Sequence, residues 1–221
     1  RNRADLFIVA GSEIHKLHPR FFERVVCNEA SMFSDNPAKR TVVFLGEGLD
    51  QSAVSGKRIG EVVTIPAKAD RIAEILDAMR AMNKGGKISG DTIAGLPRGV
   101  IEDLLARCKA ASYGVIIWAP PSLSFANADL TVQAISEFVK EINLTSRFAG
   151  LSLGGNDGAT SAGAVCSWQS GYPLRISFAS GKPDYDPERY SATKLLAAKE
   201  ADLLLWLSSF SNEIAPPETD A

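Results

Sequence analysis

Cysteine is scarce in this chain. There are three, Cys27, Cys108 and Cys166, odd in number, far apart and without a Cys-x-x-Cys pair. That spacing excludes an iron–sulfur or structural zinc site built from this chain alone. The expectation is three reduced, mostly buried thiols in a reducing, cytoplasmic setting. Histidine is scarcer: His15 and His18 are the only two, both near the N-terminus, so a hydrolytic triad has little support and no serine nucleophile elbow is expected. No Walker sequence is present. Neither sign of charge dominates, with 24 Lys+Arg against 26 Asp+Glu and a net charge of −2. No bulk pull toward nucleic acid or an anionic membrane follows from that balance. Also missing is any apolar run of the roughly 18–20 residues that a membrane span requires, or a secretory signal. The chain opens Arg-Asn-Arg without a methionine, which suggests a processed or incomplete N-terminus.

What is present is a core-forming composition, 221 residues of which 45% are hydrophobic, enough for one large domain or two small lobes. Short apolar runs alternate with helical patterns. Asp5–Ala10, Thr41–Leu45 and Glu61–Ile65 read as strands, the first followed by a Gly11-Ser12 turn. A helix over about 70–82 places Ile72, Ile75, Leu76 and Met79 at i, i+3, i+4 and i+7, one face of a helix, with Asp70 as N-cap and Gly85-Gly86 as stop. The stretch 85–99, with five glycines and one proline, reads as a link between two lobes. Beyond it a helix is expected over 97–110, with Pro97 suited to its first turn, then a strand over 114–119. A helix over 129–144 should turn Val132, Ile135, Val139 and Ile142 to a core. Strands at 148–153, 174–178 and 202–207, with a helix over 191–200, complete the pattern. Strands alternating with helices imply an α/β fold, doubly wound, with mainly parallel sheets in two Rossmann-like lobes. The expected domains are 1–88, 89–210 and an extended or disordered acidic tail, 211–221.

Candidate sites are few. Leu153-Gly-Gly-Asn-Asp-Gly-Ala-Thr-Ser-Ala-Gly163 follows a strand and opens a helix. Its glycines allow a sharp turn and a close backbone approach to a phosphate at a helix N-terminus. The same residues equally suit a tight βα turn, and the full dinucleotide fingerprint is absent. His15 and His18, three apart, would share a helical face suited to a metal. No third ligand accompanies them, and Pro19 disfavours helix at His18, so hydrogen bonding to a loop is the expectation. Trp168-Gln-Ser-Gly-Tyr-Pro173 reads as an aromatic turn that would stack on a flat ligand, on a partner or in a core. Asp184 and Asp186 sit in a surface loop, where solvated charges are commoner than an acid/base pair.

Over Gly155-Asn-Asp-Gly158 and Cys166-Ser-Trp-Gln-Ser-Gly-Tyr-Pro173 the chain resembles the B subunit of formylmethanofuran dehydrogenase. It is more similar still to its bacterial counterpart, the B subunit of the formyltransferase/hydrolase complex of methylotrophs. Gly11–Arg20, Leu76–Arg80, Tyr185–Tyr190 and Leu195–Asp202 add to the likeness. The resemblance implies a degenerate molybdopterin-oxidoreductase core. In it Gly154, Gly155, Asp157, Gly158, Trp168 and Gly171 would line a vestigial pterin cleft. The redox relatives hold a tungsten or molybdenum bis-pterin centre and an iron–sulfur cluster. Here the cluster cysteines and a metal-ligand cysteine are absent, and Phe44-Leu-Gly-Glu-Gly-Leu-Asp50 brings Glu47 and Asp50 to where the relatives carry a pterin contact. The resemblance therefore implies no cofactor, no metal and no catalytic residue. It implies a structural component that accompanies an amidohydrolase-like A subunit, a C subunit and a formyltransferase D subunit. Such a complex converts formyl-tetrahydromethanopterin to formate through a methanofuran-type carrier. The alternatives are the central part of a tungsten- or molybdenum-pterin dehydrogenase chain, and a nucleotide-binding module built on 154–163. Trp168 and Phe44 are expected to fill an empty cleft.

Overall fold

The computed structural model describes residues 3–28, 39–154 and 159–207. The polypeptide divides into two compact units, Arg1–Gly154 and Gly155–Ala221.

The first unit is built on five parallel strands: β1 (Leu6–Ala10), β2 (Thr41–Leu45), β3 (Glu61–Ile65), β6 (Gly114–Trp118) and β7 (Phe148–Ser152). Their order is β3-β2-β1-β6-β7. Leu6 pairs with Thr41 on one side and with Gly114 on the other, so β1 is the centre of the sheet. All five residues of β1 are buried, as expected of a strand covered on both faces. One face carries Leu6, Ile8, Ala10, Val43, Leu45, Ile116 and Trp118 beneath helices α2 (Ile72–Asn83), α3 (Arg98–Ala110) and α4 (Ala128–Ile142). The opposite face carries Phe7, Val9, Val42, Phe44 and Ile117. Beneath it lie the short helix α1 (Ile14–Leu17) and a π-helical turn at Phe22–Val26, and Phe22 stacks on Phe44 at 6.0 Å. The expected α/β fold, doubly wound around parallel strands, is present.

The helical periodicity of α2 is realised in full: Ile72, Ile75, Leu76 and Met79 are all buried. Each such side chain contributes on the order of 1.5–3 kcal/mol by leaving water. In α4 the buried stripe is rotated from the expected one. Thr131, Ala134, Ile135, Phe138, Glu141 and Ile142 are buried, while Val132 and Val139 pack at its margin. Phe138 takes the central place because its ring meets the edge of Phe148 at 5.9 Å.

Glu141 is buried because α2 and the residue that follows it supply its partners. Lys84 Nζ lies 2.8 Å and Arg80 Nε 3.5 Å from its carboxylate, and Asn83 Nδ2 donates to it at 3.4 Å. Desolvation alone would raise its pKa, but the Lys84 and Asn83 hydrogen bonds and the charges of Lys84 and Arg80 outweigh it and lower the pKa below the ordinary 4.5. A lowered carboxylate pKa stabilises the fold above the unfolded-state value, and the contribution disappears as pH falls through the folded value. Glu141→Gln is therefore expected to lower the urea midpoint near pH 7 and to flatten its fall below pH 4.5, as read from urea unfolding between pH 7 and 3.

Two expectations are corrected here. The Gly-rich stretch 85–99 does not separate two sheets. It forms a two-residue hairpin, β4 (Thr92–Ile93) with β5 (Leu96–Pro97), and the chain re-enters the same sheet at β6. A single sheet thus spans what was expected to be two lobes, and the expected boundary at 88/89 falls inside the first unit, which runs to Gly154. Parallel pairing is the reason, since β6 can join β1 only through a long crossover, which 66–113 supplies.

The second unit holds α5 (Ala159–Ser170), the two-residue strands β8 (Ile176–Ser177) and β9 (Asp184–Tyr185), and α6 (Ala192–Ala197). The helix after the Gly-rich segment is thus present. The expected strand over 174–178 shrinks to two residues paired antiparallel with β9. The expected strand over 202–207 is irregular, with Leu203, Leu205 and Leu207 each at least 77% exposed. A strand requires a paired neighbour, and that segment has none among the described residues. The expected tail 211–221 lies outside the described residues. Among those described, no helix is long and apolar enough to cross a membrane.

Candidate functional site at the carboxyl edge of the sheet

In an open parallel sheet, ligands bind beyond the carboxyl ends of the strands, where the strand order reverses. Here the reversal lies between β1 and β6, so the segments that follow them define the crevice.

Gly11 leaves β1 with φ +56, a conformation that suits glycine, and its N–H donates to Leu45 O at 2.8 Å. Ser12, buried, then turns inward. Its Oγ donates to Ala10 O at 2.8 Å and accepts from Ala119 N at 3.0 Å. The next amide, Glu13 N–H, donates to Ser122 Oγ at 3.2 Å. Two serines thus tie the loop after β1 to the loop after β6. Behind them the space is filled: a Cβ on Gly11 would lie 2.8 Å from Ile72 Cδ1 and 3.4 Å from Leu123 Cδ2.

Carboxylates surround this edge. Glu13 accepts from Asp50 N–H at 3.3 Å and lies 3.7 Å from Lys16 Nζ. Asp50 accepts from Ser52 N–H at 2.8 Å, and the Ser52 hydrogen bonds hold its carboxyl below the usual range. Glu47 is exposed. The expected acidic pair at 47 and 50 is thus joined by Glu13, which the sequence reading did not single out.

The histidines fall in α1 and at its end. His15 Nδ1 and His18 Nε2 are shielded from solvent without hydrogen-bond partners among the described residues, so those two nitrogens make none of the expected loop contacts there. Among the described residues no cluster of three or more His, Cys, Asp or Glu side chains is placed to hold a metal.

Of the residues expected in a vestigial cleft, Gly155, Asp157 and Gly158 lie outside the described residues. Gly154 follows β7, with open space where a Cβ would stand. Trp168 belongs to the last turn of α5 and is 86% exposed. Gly171 ends that helix at φ +83, with its N–H bonded to Ser167 O at 2.9 Å. Phe44 is core. Asp184 accepts from Tyr190 Oη–H, and Asp186 accepts from the Arg189 and Glu188 amides, which hold its pKa low. Each carboxylate serves its own loop.

One pattern was passed over in the sequence: Gly150-Leu-Ser-Leu-Gly154 spells Gly-x-Ser-x-Gly. Ser152 remains within β7, paired with Trp118, and is not raised on the strand-to-helix turn that makes such a serine a nucleophile. The first unit also holds an apolar cavity of about 460 Å³, lined by Phe7, Phe21, Val25, Tyr113, Val115 and Leu151 among others.

The strand order and its reversal define the class: a doubly wound, Rossmann-like α/β unit. Comparison with known proteins narrows this. The chain is 25% identical, over 95% of its length, to the B subunit of the tungsten-containing formylmethanofuran dehydrogenase 2 of Methanocaldococcus jannaschii, of which it covers 47%. It is 22% identical to the protein of that name from Methanococcus maripaludis, again over 95% of this chain and 47% of the relative. It is 29% identical, over 66% of its length, to the B subunit of the formyltransferase/hydrolase complex Fhc of Methylorubrum extorquens, covering 37% of it. No family model matches the chain. A similar fold occurs in the X-ray structure of the formyltransferase/hydrolase complex FhcABCD from Methylorubrum extorquens with methylofuran. The TM-score is 0.55 at 23% identity, over 98% of this chain and 54% of that one. The chain is thus similar to the B subunits of formylmethanofuran dehydrogenase and of the Fhc complex, and it spans about half the length of the curated relatives it matches or less.

Proposed function

We propose that this chain is a non-catalytic structural subunit of a cytoplasmic formyltransferase/hydrolase complex in one-carbon metabolism. The observation that carries the reading is the carboxyl edge of the sheet. In a redox relative this is the place for an anionic pterin cofactor. Here the Glu13 carboxylate accepts from the Asp50 amide, and Glu47 is exposed in the loop after β2; carboxylates repel a pyrophosphate. The 29% identity to the Fhc B subunit supports the same side. In this reading the amidohydrolase-like A subunit and the formyltransferase D subunit do the chemistry. They move the formyl group from formyl-tetrahydromethanopterin to a methanofuran-type carrier and release formate. This chain, with the C subunit, holds them together. Any residual cleft would be formed by Gly154, Gly155, Asp157, Gly158, Trp168 and Gly171 and would remain empty.

A second reading, the central part of a tungsten- or molybdenum-pterin dehydrogenase chain, is favoured by the more extensive match to the archaeal relatives. Purification of the assembly from its native source separates the two. The structural reading expects A-, C- and D-type chains to co-elute and formate to be released from the formyl donor, with tungsten, molybdenum and extracted pterin far below one per chain. Stoichiometric metal and pterin would overturn it.

A further inference from the structure

We infer that Ser12 and Ser122 form a latch that closes the switch-point crevice of this fold against any pyrophosphate-bearing ligand. A phosphate site of this kind needs free backbone N–H groups and space for the backbone to approach the anion. Neither is present. The Glu13 amide is taken by Ser122 Oγ and the Ala119 amide by Ser12 Oγ, while the Gly11 amide is taken by Leu45 O. Ser12 and Ala119 are at most 1% exposed, so the bond between them lies out of reach of water as well as of ligand. The room beside Gly11 is held by the ends of Ile72 and Leu123. Gly46 closes the neighbouring gap: a Cβ there would touch Leu49 Cδ1 at 2.7 Å and Gly11 Cα at 3.4 Å. The loops after β1, β2 and β6 therefore satisfy one another's polar groups, which a ligand would otherwise do.

This closure rests on the chain's own residues and holds or fails independently of the complex proposed above. Hydrogen exchange of the 221-residue chain tests it, with inorganic pyrophosphate as the probe. The Glu13 and Ala119 amides are expected to exchange slowly, and pyrophosphate at 10 mM, about tenfold above a millimolar Kd, should leave their rates unchanged. Ser12→Ala should speed the Ala119 amide by on the order of tenfold, and Ser122→Ala the Glu13 amide by a smaller factor. Other core amides should stay protected in both variants, which separates an opened latch from a failed fold. Two results would overturn the inference. One is exchange of either amide at its unfolded rate in the unaltered chain. The other is saturable pyrophosphate binding, tighter than about 1 mM, that protects these amides further.

Discussion

Replacing Gly114 by valine is expected to cost the first unit about 3 kcal/mol or more. Gly114 opens β6 directly opposite Phe148 of β7. A Cβ placed there would lie 2.0 Å from Phe148 Cε2. The glycine is required by this approach and not by its backbone angle. The ring is also packed against Phe138, with centroids 5.9 Å apart in a T-shaped arrangement, which limits its escape. Urea unfolding followed by circular dichroism checks the loss. Phe148→Ala in the same chain should recover part of it, with a coupling of about 0.5–3 kcal/mol between the two sites. Independent losses that simply add would show that the clash is not the cause.

How much of this was legible beforehand differs by position. The strands at 6–10, 41–45, 61–65, 114–118 and 148–152, and the buried face of α2, could be read because each is a local pattern with one period. The single sheet could not. Whether β6 joins β1 or begins a second sheet depends on a pairing between residues more than a hundred positions apart, such as Leu6 with Gly114. The Gly-rich stretch before it carried the same signal as a linker. At the carboxyl edge, the Gly11-Ser12 turn was visible but the task of Ser12 was not, since its partner Ala119 is distant in sequence, as is Ser122, which holds the next amide. Trp168 was read as part of a turn because Gly171 and Pro173 follow it, yet α5 continues to Ser170. Arg40 gave no signal at all. It is fully buried, and its Nη1 donates to Val26 O and Asn28 O at 2.7 and 2.8 Å, so the positive charge serves as a clamp on the end of the π-helical turn.

Phe138→Ala is expected to cost about 3–5 kcal/mol, the usual range for emptying an aromatic site in a core. Phe138 is 1% exposed and packs with Ile135, Ile142 and Phe148 in the cluster between the sheet and its helices. Its ring is the wedge between α4 and β7, so the loss should fall on that corner first. In hydrogen exchange the β7 amides should lose protection before those of β1, which lies at the centre of the sheet. A loss below about 1.5 kcal/mol, the range of well-tolerated core swaps, or an even loss of protection across the sheet, would contradict this placement.

No described residue beyond Phe148 is buried, and this decides what a calorimeter can see. The heat-capacity increment of unfolding comes mainly from apolar surface newly exposed to water. The second unit already presents Trp168, Phe178, Leu203, Leu205 and Leu207 to solvent, so it has little left to expose. A thermal scan of this chain is accordingly a measurement of its first 154 residues. Its heat-capacity step should match a protein of roughly that size, near 1.8–2.3 kcal/mol/K, rather than one of 221 residues.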